Sequence, residues 1–176
     1  MTDTDVIEKT QHWIDRMVVG LNLCPFAKHT IDHDQLRYVV CDETDANLLT
    51  QCLANELNIL ENHPEVETTL IIHPRVLQSF DEYLDYLAYV DELLDECGYE
   101  GVFQVAGFHP NYQFDGVVPH DPANHTNRSP FPMLHLLREA SVERAIESHS
   151  DIDSVPERNI ELLRQLGEQG IIKQLS

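Results

Sequence analysis

The sequence predicts an α/β domain: a small, mostly parallel sheet with flanking helices and a C-terminal helical pair. Three observations carry this. Short β-rich runs alternate with longer runs of helical periodicity, the order expected of right-handed strand–helix–strand crossovers. Two of the apolar strand runs end in the same His-Pro step. The length of 176 residues, without internal repeats or a linker, fits one domain, 1–176. A short strand in "YQFDGVV" would make the sheet mixed. A ferredoxin-like α+β sandwich is the alternative, because only three strands are plain in the sequence.

Residues 4 to 20 place Val6, Ile7, Trp13, Ile14, Met17 and Val18 at helical spacing, with Thr4 or Asp5 as the cap and Gly20 and Pro25 bracketing the end. "LRYVVCD" is a strand. A second helix follows, with Thr44 as its cap and Leu48, Leu49, Cys52, Leu53, Leu57 and Leu60 on one face. "ETTLIIHP" is a strand stopped by Pro74. Ser79 opens a third helix, with Glu82 completing a capping box and Gly98 closing it. "GVFQVAGF" is a third strand. After a long irregular segment, Pro132 starts a helix with Met133, Leu134, Leu137, Ala140, Val142 and Ala145 on its apolar face. A last helix runs from about Val155 to Leu166, before a tail punctuated by glycine.

Charge narrows the partners. The chain carries 11 Lys+Arg against 31 Asp+Glu, a net charge of -20. That field repels phosphate backbones and anionic membranes, and Arg128, Arg138 and Arg144 are interleaved with acids rather than clustered. Nucleic acid and membrane are therefore not expected as partners. The start, "MTDTDVIEKT", lacks the basic and apolar parts of a signal peptide, so a cytoplasmic location is expected. The cysteines at 24, 41, 52 and 97 lack CxxC spacing and read as thiols. Cys41, Cys52 and Cys97 fall in strand or helix patterns and read as core.

Parallel strands would align Cys41-Asp42, His73-Pro74 and His109-Pro110 along one carboxyl edge, where open α/β sheets bind ligands. Each histidine then either serves a site there or caps its strand end with a hydrogen bond to nearby backbone. The segment from His109 to Glu139 could cover that edge with Asn111, Tyr112, Asp115, His120, Asp121, Asn124, His125, Asn127 and Arg128. Its apolar members, Tyr112, Phe114, Val117, Val118 and Phe131, need burial, which argues for order. Asn127, Arg128 and Ser129 would precede a helix N-terminus, where backbone N–H groups and a planar guanidinium favour an anion. Cys24 stands before Pro25, with Lys28 and His29 near in sequence, as a nucleophile or a packed thiol. His135 reads as a packed residue. A metal held by His73, His109, Asp115, His120, Asp121 or His125 matches no compact ligand motif.

The segments "GLNLCPFA", "HPNYQF" and "NRSPFPMLHLLRE" together resemble a family of bacterial proteins described as a domain of unknown function. The resemblance runs from about Trp13 to about Ala145. It implies a small, cytoplasmic, single-domain protein and no particular activity or cofactor. It places Cys24, Pro25, His109, Pro110, Tyr112, Asn127, Arg128, Ser129 and His135 within the family's motifs.

The functional expectation is an enzyme acting on a small anionic molecule at the carboxyl edge. Cys24, His73 and His109 would be its catalytic groups, and Asn111, Tyr112, Asn127, Arg128 and Ser129 its substrate-binding groups. A metal-dependent protein using the same histidines and a non-catalytic acidic interaction module are the alternatives. The sequence names no cofactor, substrate or oligomeric state.

Overall fold

The computed structural model describes residues 1–148 and 154–176. The chain forms one four-stranded sheet in the order β1-β2-β4-β3, with β1 Leu36–Val40, β2 Thr68–Ile72, β3 Phe103–Phe108 and β4 Met133–Arg138. β1 and β2 are parallel, while β4 lies antiparallel to both β2 and β3. β2 and β3 therefore run the same way, and β1, β2 and β3 end at one edge. The sheet is mixed, and two of its three pairings are antiparallel.

The source of the mixing differs from the expectation. "YQFDGVV" forms no strand, and the segment after Pro132, expected as helix, is the strand β4. Helix α5, Glu139–Ser148, begins only where β4 ends. The physical reason is position. β4 is a central strand with helices packed on both faces of the sheet, and a strand buried on both faces has a continuous apolar run. Periodicity cannot tell such a run from a buried helix. Leu134 and Leu136 point into one core and Met133 into the other.

The helices make two outer layers. On one face lie α3, Ala46–Asn62, and α4, Phe80–Glu96, packing Leu49, Leu53, Leu57, Tyr83 and Val90 against Ile71 and Leu134. On the other lie α1, Asp3–Trp13, its π-helical continuation Ile14–Val19, and α6, Val155–Leu175. They pack Val6, Trp13, Met17, Leu163 and Ile171 against Leu70, Ile72 and Met133. The caps fall one to three residues from their expected places: Thr2 caps α1 in a capping box with Asp5, and Asp45 caps α3. Ser79 precedes α4 but makes no side-chain cap bond. A short helix α2, Ala27–Asp32, precedes β1 in a stretch to which the sequence assigns no element. α6 does not stop at Leu166. Gly167, at φ 61°, breaks it, and the helix resumes to Leu175. Among the described residues, no helix is long and apolar enough to cross a membrane.

One close approach ties α4 to the sheet. The Tyr83 hydroxyl donates to the Met133 carbonyl at 2.6 Å, passing over Gly107 of β3. A Cβ at Gly107 would stand 2.6 Å from that hydroxyl oxygen and 2.7 Å from Leu87 Cδ1. Gly107→Ala should therefore cost about 1–3 kcal/mol by overpacking, read as a lower urea midpoint at unchanged m. Combined with Tyr83→Phe, it should cost less than the sum of the two single changes. Strict additivity would show that the clash lies elsewhere.

Candidate functional site

The strand-end histidines share an edge, as their strands' directions require, but they are buried on the α4 face. His73 is 0% exposed and His109 1%. Their rings lie 5.9 Å and 5.1 Å from that of Tyr83, and Phe80 stands 5.3 Å from His109. His73 Nδ1 meets the Val76 carbonyl at 3.0 Å, and His109 Nε2 meets the Leu77 carbonyl at 3.3 Å. A carbonyl accepts only, so each of those nitrogens carries the proton. His109 Nδ1 accepts from the Asn111 N–H at 3.0 Å, which satisfies that ring. His73 Nε2 is buried without a partner. The two imidazoles thus clasp the turn from Pro74 to Gln78, in which Leu77 adopts φ 56°. Burial holds His73 down at about 4 and lowers His109 as well. Half-buried His135, lowered to about 4 by desolvation, meets Thr68 Oγ1 at 2.8 Å.

The thiol lies in another layer. Leu23, beside Cys24, packs with α1 and α6, on the opposite side of the sheet from His73 and His109. The turn around Cys24 is pinned by α6: Asn159 Nδ2 donates to Leu23 O at 2.7 Å, and Arg158 to Asn22 O. No described contact joins Cys24 to either histidine. Cys41 is buried and Cys52 partly so, but Cys97, read as core, is exposed. Among the described residues, no three of His, Cys, Asp and Glu converge as metal ligands. His73, His109, Asp115, His120, Asp121 and His125 are not drawn together in that way.

The loop between β3 and β4 is ordered mainly by polar groups. Asn124, 0% exposed, accepts from the Phe114 N–H at 3.0 Å and donates to Val118 O at 2.9 Å. Asn127 Nδ2 donates to Gly107 O, and Asn127 O accepts from His109 N–H. Ser129 Oγ donates to Phe131 O at 2.6 Å. Asp121 receives a forked bond from Arg164 of α6, at 2.8 Å and 3.1 Å. Val118, expected to be buried, is 53% exposed. Asn111, Asp115 and His120 are exposed as well.

Because β4 is a strand, Asn127, Arg128 and Ser129 precede no helix. The anion site expected at a helix N-terminus is not formed. Arg128 is placed differently. Its Nε donates to Tyr112 O at 3.0 Å and its Nη2 to Pro119 O at 2.5 Å. The side chain is half-buried, and among the described residues no carboxylate forms an ion pair with it. It lines a cleft of about 630 Å³ between α1, this loop and α6. α1 contributes Asp5, Glu8, Lys9, His12 and the edge of the largely buried Trp13 to the cleft, the loop His125, and α6 Glu168. Burial and the neighbouring Arg128 lower the proton affinity of His125, with Glu168 opposing. Lys9, His12, Trp13 and Glu168 escape a reading of motifs because they come from the two chain ends. Gly167 was the available signal: its break in α6 falls directly before Glu168.

Two measurements follow from this arrangement. Asn124→Ala should leave the Phe114 N–H without its acceptor, while the Val118 carbonyl keeps the Asp121 N–H, costing about 1–2 kcal/mol. Protease nicking between residues 113 and 121 should rise with it; unchanged nicking would show that apolar contacts hold the loop. For His73, the folded state resists a proton that the unfolded chain accepts near 6.5. Stability is therefore intact above pH 6.5 and is lost as pH falls toward 4, at about 1.4 kcal/mol per pH unit. The stability advantage of the wild type over His73→Asn should shrink across that window; a constant difference would contradict a buried neutral imidazole.

A comparison with curated proteins and with solved structures finds no match to this chain. A family profile described as "Protein of unknown function (DUF1415)" matches residues 5–173, spanning α1, the sheet, the loop and nearly all of α6. The chain belongs to that family.

Proposed function

We propose that this protein is an enzyme that binds a small anionic substrate in the cleft between α1, the β3–β4 loop and α6. The observation that carries this is Arg128: a half-buried guanidinium without a carboxylate ion-pair partner among the described residues, in a chain with nearly three acids for every base. A guanidinium has five N–H donors. Two of its nitrogens are oriented by the Tyr112 and Pro119 carbonyls, which pre-sets the fork before a ligand arrives. Carboxylate and phosphate match that geometry. The net charge of -20 repels free anions at long range, so the attraction must be local and partly desolvated.

His125 supplies the reactive group in this reading. It stands near Arg128, and its lowered proton affinity keeps it neutral at physiological pH. A neutral imidazole beside a bound anion can take a proton from it, and Glu168 would steady the imidazolium that forms. Lys9 of α1 would add positive charge on the far wall, beside the carboxylates of Asp5 and Glu8.

The test is binding of inorganic phosphate and of simple mono- and dicarboxylates. Arg128→Gln should weaken the tightest of these about tenfold or more, as loss of a charge-assisted bond predicts. Arg128→Lys should recover only part, since an ammonium lacks the fork. Binding that is unchanged in Arg128→Gln, alongside a large fall in stability, would make Arg128 a structural clamp and end the proposal.

A further inference from the structure

On the α3/α4 side of the sheet, away from the cleft, two thiols are brought together. β1 sends Leu36, Tyr38 and Val40 to the α1/α6 layer, so Arg37, Val39 and Cys41 form a row on the α3 side. The ladder reaches Cys41, whose N–H donates to the Ile72 carbonyl at 2.8 Å, and this keeps its side chain in that row. Because β1 and β2 are parallel, α3 runs back against β1 and presents its residues in reverse order. Glu56 takes Arg37 in a forked ion pair at 2.7 Å and 3.2 Å. One helical turn before Glu56 stands Cys52, and four residues after Arg37 stands Cys41.

Three observations agree with this pairing. Cys41 is buried in the core cluster under α3, and the partly buried Cys52 packs against that cluster. Burial first, and then the neighbouring Cys41 thiol, push the Cys52 thiol up to about 12. Both thiols also act on the hydroxyl of Tyr86, which meets Thr50 Oγ1 at 3.0 Å. Cys24 in the α1/α6 layer and Cys97 at the end of α4 have no such thiol neighbour among the described residues.

We propose that Cys41 and Cys52 are a modification site, closing to a reversible intrachain disulfide by exchange with a low-molecular-weight disulfide such as oxidised glutathione. Cys52 is the half-buried member, so the small disulfide reaches it first. Its thiol gives up a proton and its sulfur attacks the reagent; a mixed disulfide forms and the first glutathione leaves as a thiolate. Cys41 then gives up its proton and attacks the Cys52 sulfur, and the bond to the second glutathione breaks. Two protein thiols are oxidised, one glutathione disulfide is reduced, and the two protons end on two glutathione thiols. A thiol held this high supplies little thiolate near neutral pH, so the exchange is slow there and the reduced state persists. The bond ties the edge strand β1 to α3 beside the Arg37–Glu56 pair. It is independent of the anion reading of the cleft and stands or falls without it.

Trypsin cuts after Lys and Arg, so residues 38–75 leave as one peptide that carries both cysteines and neither of the others. The folded chain is incubated with oxidised glutathione, quenched with an alkylating reagent in urea, and mapped without reduction. In the wild type this peptide should lose about 2 Da, the mass of two hydrogens, and carry no alkyl group. Dithiothreitol should restore both alkylation sites. The rate should rise about tenfold per pH unit between about pH 7 and 9, following the thiolate fraction. Cys41→Ala should stop at a single glutathione on Cys52. A wild-type peptide that takes two alkyl groups even after incubation near pH 9, or that keeps glutathione on Cys52 while Cys41 is alkylated, overturns the proposal. Cys52 left unmodified in Cys41→Ala overturns the order of attack.

Discussion

The placement of β4 between β2 and β3 is the constraint on which the site depends. A strand inserted there must run against its neighbours, because it enters from the edge at which they end. Pro130 and Pro132 favour extended backbone before it and remove donors from the approach. The ladder extends beyond β4 itself: His73 N–H donates to Pro132 O, and His109 N–H to Asn127 O. The chain between His109 and Pro132 therefore has to cross the carboxyl edge and come back. Arg128 lies on the returning arm of that path, which brings it to the α1/α6 side of the sheet.

The two sides of the edge are used differently. On the α4 side, His73 and His109 are removed from water, and Tyr83 reaches across Gly107 to the first residue of β4. Those groups hold the Pro74–Gln78 turn and the start of β4 in register. Their protons go to carbonyls, and their burial favours the neutral form. On the α1/α6 side, the charged groups remain half-exposed around an open cleft. At that edge the sheet separates a dry aromatic cluster from a wet ionic cleft.

The loop between them is stabilised chiefly by hydrogen bonds. Asn124 closes its inner turn, Asn127 fastens it to β3, and Asp121 fastens it to α6 through Arg164. Each such bond contributes about 1 kcal/mol net, and each would cost more if one partner were removed. The apolar residues of the loop contribute less: Val118 is exposed, and Phe114 reaches only part of the way in. Polar fastening of this kind fixes where Arg128 stands without filling the cleft beside it.

Much of this was legible in the residues. The alternation of strand and helix patterns and the shared edge of β1, β2 and β3 follow from local pattern and spacing. So does the alternative role of the strand-end histidines, a hydrogen bond to nearby backbone. The strand β4 was hidden, because burial on both faces erases the alternation that marks a strand. The cleft was hidden for a different reason. Lys9, His12 and Trp13 lie more than a hundred residues from Arg128 in sequence, and Glu168 forty residues beyond it. Only the packing of both chain ends against one face of the sheet brings them together. Local sequence determined which segments could be strands, helices and turns; tertiary structure decided which charges would face one another, because that depends on long-range packing and not on spacing along the chain.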